Sequence, residues 1–347
     1  MASITEQISA EEFAATYAAV RQELSRVVIG QQRAVDELLA AIFAGGHSLL
    51  TGMPGLGRTL IVKSLSTILG MEFRRVQFTP DLLPTDLIGM EVLEDNKAAG
   101  GRRFRLHKGP VFANMLLADE VNRSPARTQS ALLEVMQERQ VTIGGATHPL
   151  PEPFILIATE NSIETEGVWP LGEAQVDRFM VSILLDYPTA EEEEQIVAIT
   201  TGRDGPGPRC VMNPQKVMAM QALAKKVPVI PSAREFALAL VRMSRTGGPD
   251  TPEQIANKVR LGASPRAAQA LLSGAKVLAL ARGRRHVTRQ DVADLAVPVM
   301  RHRVLLDLRA KAHGATFESI LPVLMDAAWA RSMPRFDTWS RKVMTAV

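Results

Sequence analysis

HSLLTGMPGLGRTLIVKSLSTIL, residues 47–69, passes from a short apolar segment through a glycine-rich turn into a helical pattern. Glycines at 52, 55 and 57 let a backbone curl between strand and helix and turn its amide groups toward a phosphate. Gly52, Pro54, Gly55, Leu56, Gly57, Arg58, Thr59 and Leu60 are therefore the candidate site for a nucleoside triphosphate, ATP, with Thr59 placed to hold Mg2+. Loops of this kind ordinarily end in Gly-Lys-Ser/Thr, and here Arg58 stands at the lysine position. A guanidinium is planar and wide and prefers a bidentate grip, whereas an ammonium is a compact point charge. Binding is expected to survive this exchange and hydrolysis to slow. Lys63 lies beyond the i+3 and i+4 neighbours of Arg58 and is not expected to substitute.

Moving outward, apolar runs at Ser48–Leu50, Phe73–Phe78, Met115–Ala118, Phe154–Ala158 and Val181–Leu185 predict strands. They lack polar alternation, which suits a parallel sheet covered on both faces. Helical periodicity from about Glu11 to Ala44, broken at Gly30, predicts two leading helices. The expected fold is α/β, with a nucleotide-binding core over 1–188 and a helical domain over 189–347, where strand signals stop. Residues 79–113 form an insert with its own hairpin, MEVLED and RRFRLH flanking the turn-like NKAAGG.

NMLLADEVNR, residues 114–123, ends a strand with two acids. A DE pair at a strand end is by itself usually a solvent-facing terminus. About sixty residues after a phosphate loop, it brings a carboxylate site to the same sheet edge. Asp119 would then hold Mg2+ through water and Glu120 would polarise the attacking water. FILIATEN, residues 154–161, ends in Asn161, which fits either a turn or a group orienting that water.

With 46% hydrophobic residues in a chain of 347, a sizeable core can form. Forty basic residues against 37 acidic leave a net charge of +3, a small surplus that does not by itself imply nucleic acid. Cys210 is the single cysteine, so no intramolecular disulfide or cysteine metal cluster is possible. The start MASITEQISAEEFAA has no basic-then-apolar pattern and no run of eighteen apolar residues occurs, so no membrane insertion and a cytoplasmic location are expected.

The order and wording of these motifs carry a resemblance that reaches from about Arg26 through Arg303. The carrying stretches are GMPGLGRTL, RRVQFTPDLLPTDLIG, KGPVFANMLLADEVNRSPARTQSALLEVMQERQVTIGG, FILIATENSIETEGVWPLGEAQVDRFM, GASPRAAQALLSGAKVLALARGRRHVTRQDV and RHRV. The chain resembles the MoxR AAA+ ATPases. The resemblance implies an AAA+ P-loop core followed by an all-helical lid, working as a homo-oligomeric ring, a hexamer. It implies Asn161 as sensor 1, Arg266 in SPRA as a lid arginine touching the γ-phosphate, and Arg178 in QVDRF as the arginine finger supplied to a neighbouring subunit. It also implies a protein client to be remodelled or matured and a von Willebrand factor A domain partner. Arg123 fits either the same subunit interface or a local ion pair.

The sequence departs from the family at Arg58, at Ser162, where proline usually follows sensor 1, and at Gly172, where proline is usual. The last two are expected to loosen the local backbone. Two other functions are open to such a chain. A nucleotide-binding structural ring with little hydrolysis rests on Arg58 alone. A nucleic-acid motor rests on basic clusters at 102–108 and 282–286, which have no interleaved aromatics for base stacking.

Overall fold

A computed structural model describes residues 8–96, 101–161, 167–202 and 207–333, and side chains are described outside 94–103. The turn of the expected hairpin, the side chains of Arg102 and Arg103, and Ser162 lie outside the described residues.

The chain begins with α1 (Ala10–Ser25) and α2 (Gln32–Ala44), separated where Gly30 and Gln31 take left-handed backbone at φ 68° and 55°. Next come β1 (Ser48–Gly52), α3 (Arg58–Ile68), β2 (Phe73–Gln77), α4 (Pro84–Ile88), β3 (Gly89–Asn96) and β4 (Gly101–Lys108). They are followed by β5 (Met115–Asp119), α5 (Ala126–Glu138), β6 (Gln140–Ile143), β7 (Ala146–Pro149), β8 (Ile155–Thr159), α6 (Glu173–Val176) and β9 (Val181–Leu185). The five strands read from the sequence form one parallel sheet in the order β2-β5-β8-β1-β9. Every residue of β5 and β8 is buried, which explains why these strands read as unbroken apolar runs. On one side of the sheet Leu49, Leu116, Leu156, Phe78, Phe154 and Phe179 share a single core cluster with Leu132 and Met136 of α5.

The insert forms the expected hairpin, β3 pairing with β4 from Gly89↔Lys108 to Asn96↔Gly101. A second hairpin, β6 with β7, turns at Gly144–Gly145.

Two compact units emerge. One runs through Lys226 and takes in Leu280–Gly283; the other comprises Val227–Ala279 and the chain from Arg284 onward. This division lies beyond position 188, because α7 (Ala190–Thr200) and α8 (Pro214–Lys226) group with the sheet. Gln221 of α8 donates to the Ile42 carbonyl at 2.8 Å, and Lys216 pairs with Glu12 at 2.8 Å. The acidic run of α7 does what the helix dipole favours: Glu192 and Thr189 cap its first turn reciprocally, at 2.9 and 3.3 Å.

The second unit holds α9 (Pro231–Met243), α10 (Glu253–Ala256), β10 (Val259–Leu261), α11 (Pro265–Ala281) except its last two residues, α12 (Arg289–Ala293), α13 (Ala296–Met300), β11 (Leu305–Leu306), α14 (Leu308–Ala312) and α15 (Phe317–Arg331). It is a helical lid with one addition, a two-stranded antiparallel ladder of β10 and β11. Phe236 of α9 meets Trp329 of α15 edge-on, with ring centroids 5.3 Å apart. Among the described residues no helix is long and apolar enough to cross a membrane.

Candidate functional site

The sequence builds the phosphate loop by letting β1 run straight into α3 through a turn that needs glycine. Gly52 sits at φ 134°, and a Cβ there would lie 2.5 Å from the Leu185 carbonyl of β9, so no other residue fits the close pairing. Gly57 caps α3 in left-handed backbone at φ 77°, and nothing lies within 4 Å of where its Cβ would be, which leaves room for a phosphate against the backbone. Pro54 and Gly55 are exposed at the tip, Leu56 is half-buried, and Leu60 on the first turn of α3 is 47% exposed. Thr59 sits half-buried on that same turn.

Arg58 does not project freely from the loop. Its Nη2 donates to the carbonyls of Gly52 and, at 3.2 Å, of Met53, and its Nη1 donates to the Glu160 carbonyl at 3.2 Å. Its Nε is buried with no acceptor. Burial draws the guanidinium below its ordinary pKa, while the carboxylates of Asp119 and Glu120 act in the opposite direction. Arg58 and the two acids therefore share one electrostatic site, as the motif spacing predicts.

Strand β8 lies between β1 and β5, so the ends of all three meet. Thr159, the last residue of β8, ties them together: its hydroxyl donates to Asp119 Oδ1 at 2.6 Å and accepts the Glu120 amide at 2.8 Å. Glu120 holds left-handed backbone at φ 57°, an uncommon state for a non-glycine residue that marks a constrained position. Its Oε2 accepts from Gln77 Nε2 at 2.6 Å and from Arg123 Nη1 at 3.2 Å. For Arg123 the structure thus shows the local ion pair. Asp119 Oδ2 accepts both Nη2 and Nε of Arg75, at 2.6 and 3.0 Å.

Asn161 is buried, and its backbone is clasped by Asn122, whose Nδ2 donates to the Asn161 carbonyl at 3.0 Å and whose Oδ1 accepts its amide at 3.3 Å. Beside it, burial pushes the Glu160 carboxyl above its ordinary pKa. Thr59, Asp119, Glu120 and Asn161 thus all stand at the C-terminal edge of the sheet, where open α/β sheets bind ligands. Thr59 and Asp119 offer oxygen alone, a donor set that fits a hard cation such as Mg2+.

Two arginines are expected to complete the site, Arg178 and Arg266. Arg178 donates to Gln137 Oε1 in a shallow cleft lined by Ser130, Leu133, Glu134, Glu138 and Gln175, which includes no residue of the phosphate loop. Arg266 lies in the second unit, on the first turn of α11. Gly172 does not behave as a loosened proline substitute. It holds φ −66°, which a proline would also adopt, but its amide donates to Gln175 Oε1 at 2.7 Å, a bond proline cannot make. In the basic cluster at 282–286, Arg284 is committed to the fully buried Asp291, with Nη1 2.6 Å from Oδ2.

Comparison with known proteins gives the family. Residues 47–181 match the ATPase family associated with various cellular activities, AAA, and residues 253–322 match the AAA lid domain. The chain is 41% identical to the chaperone MoxR1 of Mycobacterium tuberculosis over 86% of its own length and 78% of that protein's. It belongs to the MoxR family of AAA+ ATPases. YeaC of Bacillus subtilis, 35% identical, covers 88% of this MoxR-family chain with 92% of its own length. A solved candidate ATPase from Cytophaga hutchinsonii superposes with a TM-score of 0.85 at 39% identity, over 92% of this chain and 96% of that one. In this MoxR-family chain the loop and the two acids form the candidate nucleotide site. Arg75, Gln77 and Thr159, which the sequence did not single out, are the residues that hold the acids.

Proposed function

We propose that this MoxR-family chain binds ATP with Mg2+ at Gly52–Leu60, hydrolyses it as a homo-oligomeric ring, a hexamer, and uses the cycle to remodel or mature a protein client, as a chaperone does. The observation that carries the reading is the meeting of the strand ends: Thr159 fixes Asp119 and the amide of Glu120 beside the loop that holds Thr59. Thr59, and Asp119 through water, would hold Mg2+, which would supply charge neutralisation at the transferring phosphoryl group. Glu120 orients and deprotonates the attacking water, and Asn161 helps to place it. Arg266 reaches the γ-phosphate when the lid closes, and Arg178 serves the site of the next subunit, making turnover depend on assembly. That Arg178 lies in a cleft without phosphate-loop residues supports its action in trans. The family resemblance supports a von Willebrand factor A domain protein as the partner that couples the ring to its client, within the cytoplasm.

A second reading, a nucleotide-binding ring that hydrolyses little, is favoured by one observation: Arg58 spends its donors on carbonyls of its own loop and of Glu160. Mg2+-dependent phosphate release by the purified oligomer separates the two. Arg58→Lys, with a compact charge free of that carbonyl set, should raise turnover roughly tenfold. Glu120→Gln should lower it about a hundredfold or more while leaving ATP bound. A natural chain that binds ATP yet releases no more phosphate than Glu120→Gln would sink the motor reading and leave the structural ring.

A further inference from the structure

Asp119 already has a cation. Both of its oxygens are engaged: Oδ1 by the Thr159 hydroxyl at 2.6 Å, and Oδ2 by two nitrogens of Arg75, at 2.6 and 3.0 Å. The sheet dictates this partnership. In the parallel register of β2 and β5, Arg75 lies across from Leu117 and Gln77 from Asp119, so the long arginine side chain reaches two pairs along the ladder, to its diagonal neighbour. The Asp119 side chain is 12% exposed while that of Arg75 is 45% exposed, so the acid is fixed in the site and its partner stands at the rim.

The surroundings of Asp119 favour anions over cations. Arg58 feels both acids, and Arg123 is paired with Glu120, so with Arg75 three guanidinium groups surround two carboxylates. Among the described residues no three His, Cys, Asp or Glu side chains converge as they would in a free-standing metal site. A divalent ion arriving alone would have to compete with Arg75 for a single carboxylate, in a field that repels it. Arriving with a triphosphate, it brings oxygen ligands and negative charge of its own, as Mg2+ at such sites requires. Arg75 can then yield. Its exposure lets it turn toward solvent, and Gln77 Oε1, already 2.7 Å from its Nη2, remains a place for it to bond.

We infer that Arg75 is a built-in counter-cation for Asp119, which withholds the metal position from free divalent ions and makes the metal enter together with the nucleotide. The inference rests on the nucleotide reading above and adds to it a positioning residue that sets the metal dependence. A merely structural arginine, tying β2 to β5, would affect stability and leave metal affinity alone.

The test measures Mn2+ binding to the nucleotide-free oligomer by the loss of its free-ion electron paramagnetic resonance signal, beside the Mg2+ concentration that half-saturates binding of a fluorescent ADP analogue. The natural chain should take up little Mn2+ without nucleotide. Arg75→Gln should bind it roughly tenfold more tightly, and should reach half-saturation of the analogue at correspondingly lower Mg2+. Arg75→Lys keeps the charge but loses the fork, and should fall between the two. If Arg75→Gln does not fold, judged by its melting curve, the lysine variant decides alone, a several-fold gain in Mn2+ affinity being the expected result. Unchanged Mn2+ affinity in the folded variants, with the natural chain still binding the analogue, overturns the role of Arg75 only. A natural chain that binds no analogue at any Mg2+ concentration overturns the nucleotide reading and this inference with it.

Discussion

His47 shows how much a single side chain just before the strand that leads to the phosphate loop is asked to do. It precedes β1, is buried, accepts the Leu156 amide at Nδ1 (2.9 Å) and faces the Met136 carbonyl with Nε2 at 3.2 Å. Since an amide can only donate, Nδ1 is unprotonated and the proton sits on Nε2. Burial, and after it the charge of Arg139, push the ring down from 6.5 to about 4. In the unfolded chain the imidazole takes a proton near 6.5, so between 6.5 and about 4 the unfolded state binds a proton that the folded state refuses. Stability should therefore fall as pH drops through that window and be indifferent to His47 above it, the loss reaching roughly 3 kcal/mol at the acid end. Urea midpoints of the natural chain and of His47→Gln, taken at pH 7 and pH 4.5, check this; equal slopes would refute it. The residue scale is also where the sequence was least legible. Arg58, Thr59, Asp119 and Glu120 could be read because each sits in a short local motif. Arg75 acts on a carboxylate 44 residues away and Thr159 on one 40 residues away, partnerships that exist only once strand register is fixed.

At the level of elements, one arginine of the basic cluster at 282–286, Arg284, serves the fold. Arg284 and Thr288 hold Asp291 at the start of α12, with the Thr288 amide and hydroxyl each 2.8 Å from Oδ2. Burial alone would raise the Asp291 pKa, but the bonds from Arg284 and Thr288 outweigh it and hold the group below its ordinary value. Arg284→Ala should strand this carboxylate and cost about 2–3 kcal/mol, less than a fully buried pair because Arg284 is partly exposed. A double variant, Arg284→Met with Asp291→Leu, should recover most of that loss in thermal unfolding, and equal destabilisation by both would count against the pairing argument. The central strands were legible for the reason they are stable, since burial on both faces demands continuous apolar residues. The β6–β7 hairpin carried a signal that went unread, QVTI and ATHP around Gly144–Gly145, a two-residue turn flanked by alternating burial in β6. The ladder of β10 and β11 left none, being three residues against two brought together from 259 and 305. The expected boundary at 188 followed the end of the strand signals, whereas α7 and α8 group with the sheet, and helical periodicity carries no information about which core a helix covers.

For the whole molecule, the decisive matter is whether one chain contains a complete site. Within the first unit the loop, Asp119, Glu120 and Asn161 gather at one edge, while Arg178 sits with Gln137 in its own cleft. On the ring reading, each site borrows its arginine from a neighbour, so two different lesions can repair each other. Arg178→Ala keeps an intact Glu120 and supplies no finger; Glu120→Gln supplies the finger and lacks the residue that activates water. Each variant alone should be nearly inactive in Mg2+-dependent hydrolysis while still binding ATP. When equal amounts are mixed and allowed to exchange subunits, a functional interface arises where an Arg178→Ala subunit offers its site and a Glu120→Gln subunit its arginine. Random exchange places such a pair at about a quarter of the interfaces, so activity should return to about a quarter of the natural rate if interfaces fire independently. If Arg178 served its own subunit, every chain in the mixture would remain defective and no ratio of the two would restore hydrolysis. Recovery that peaks near equal proportions and disappears on dilution below the assembly concentration would therefore place both the ring and the shared site in one experiment.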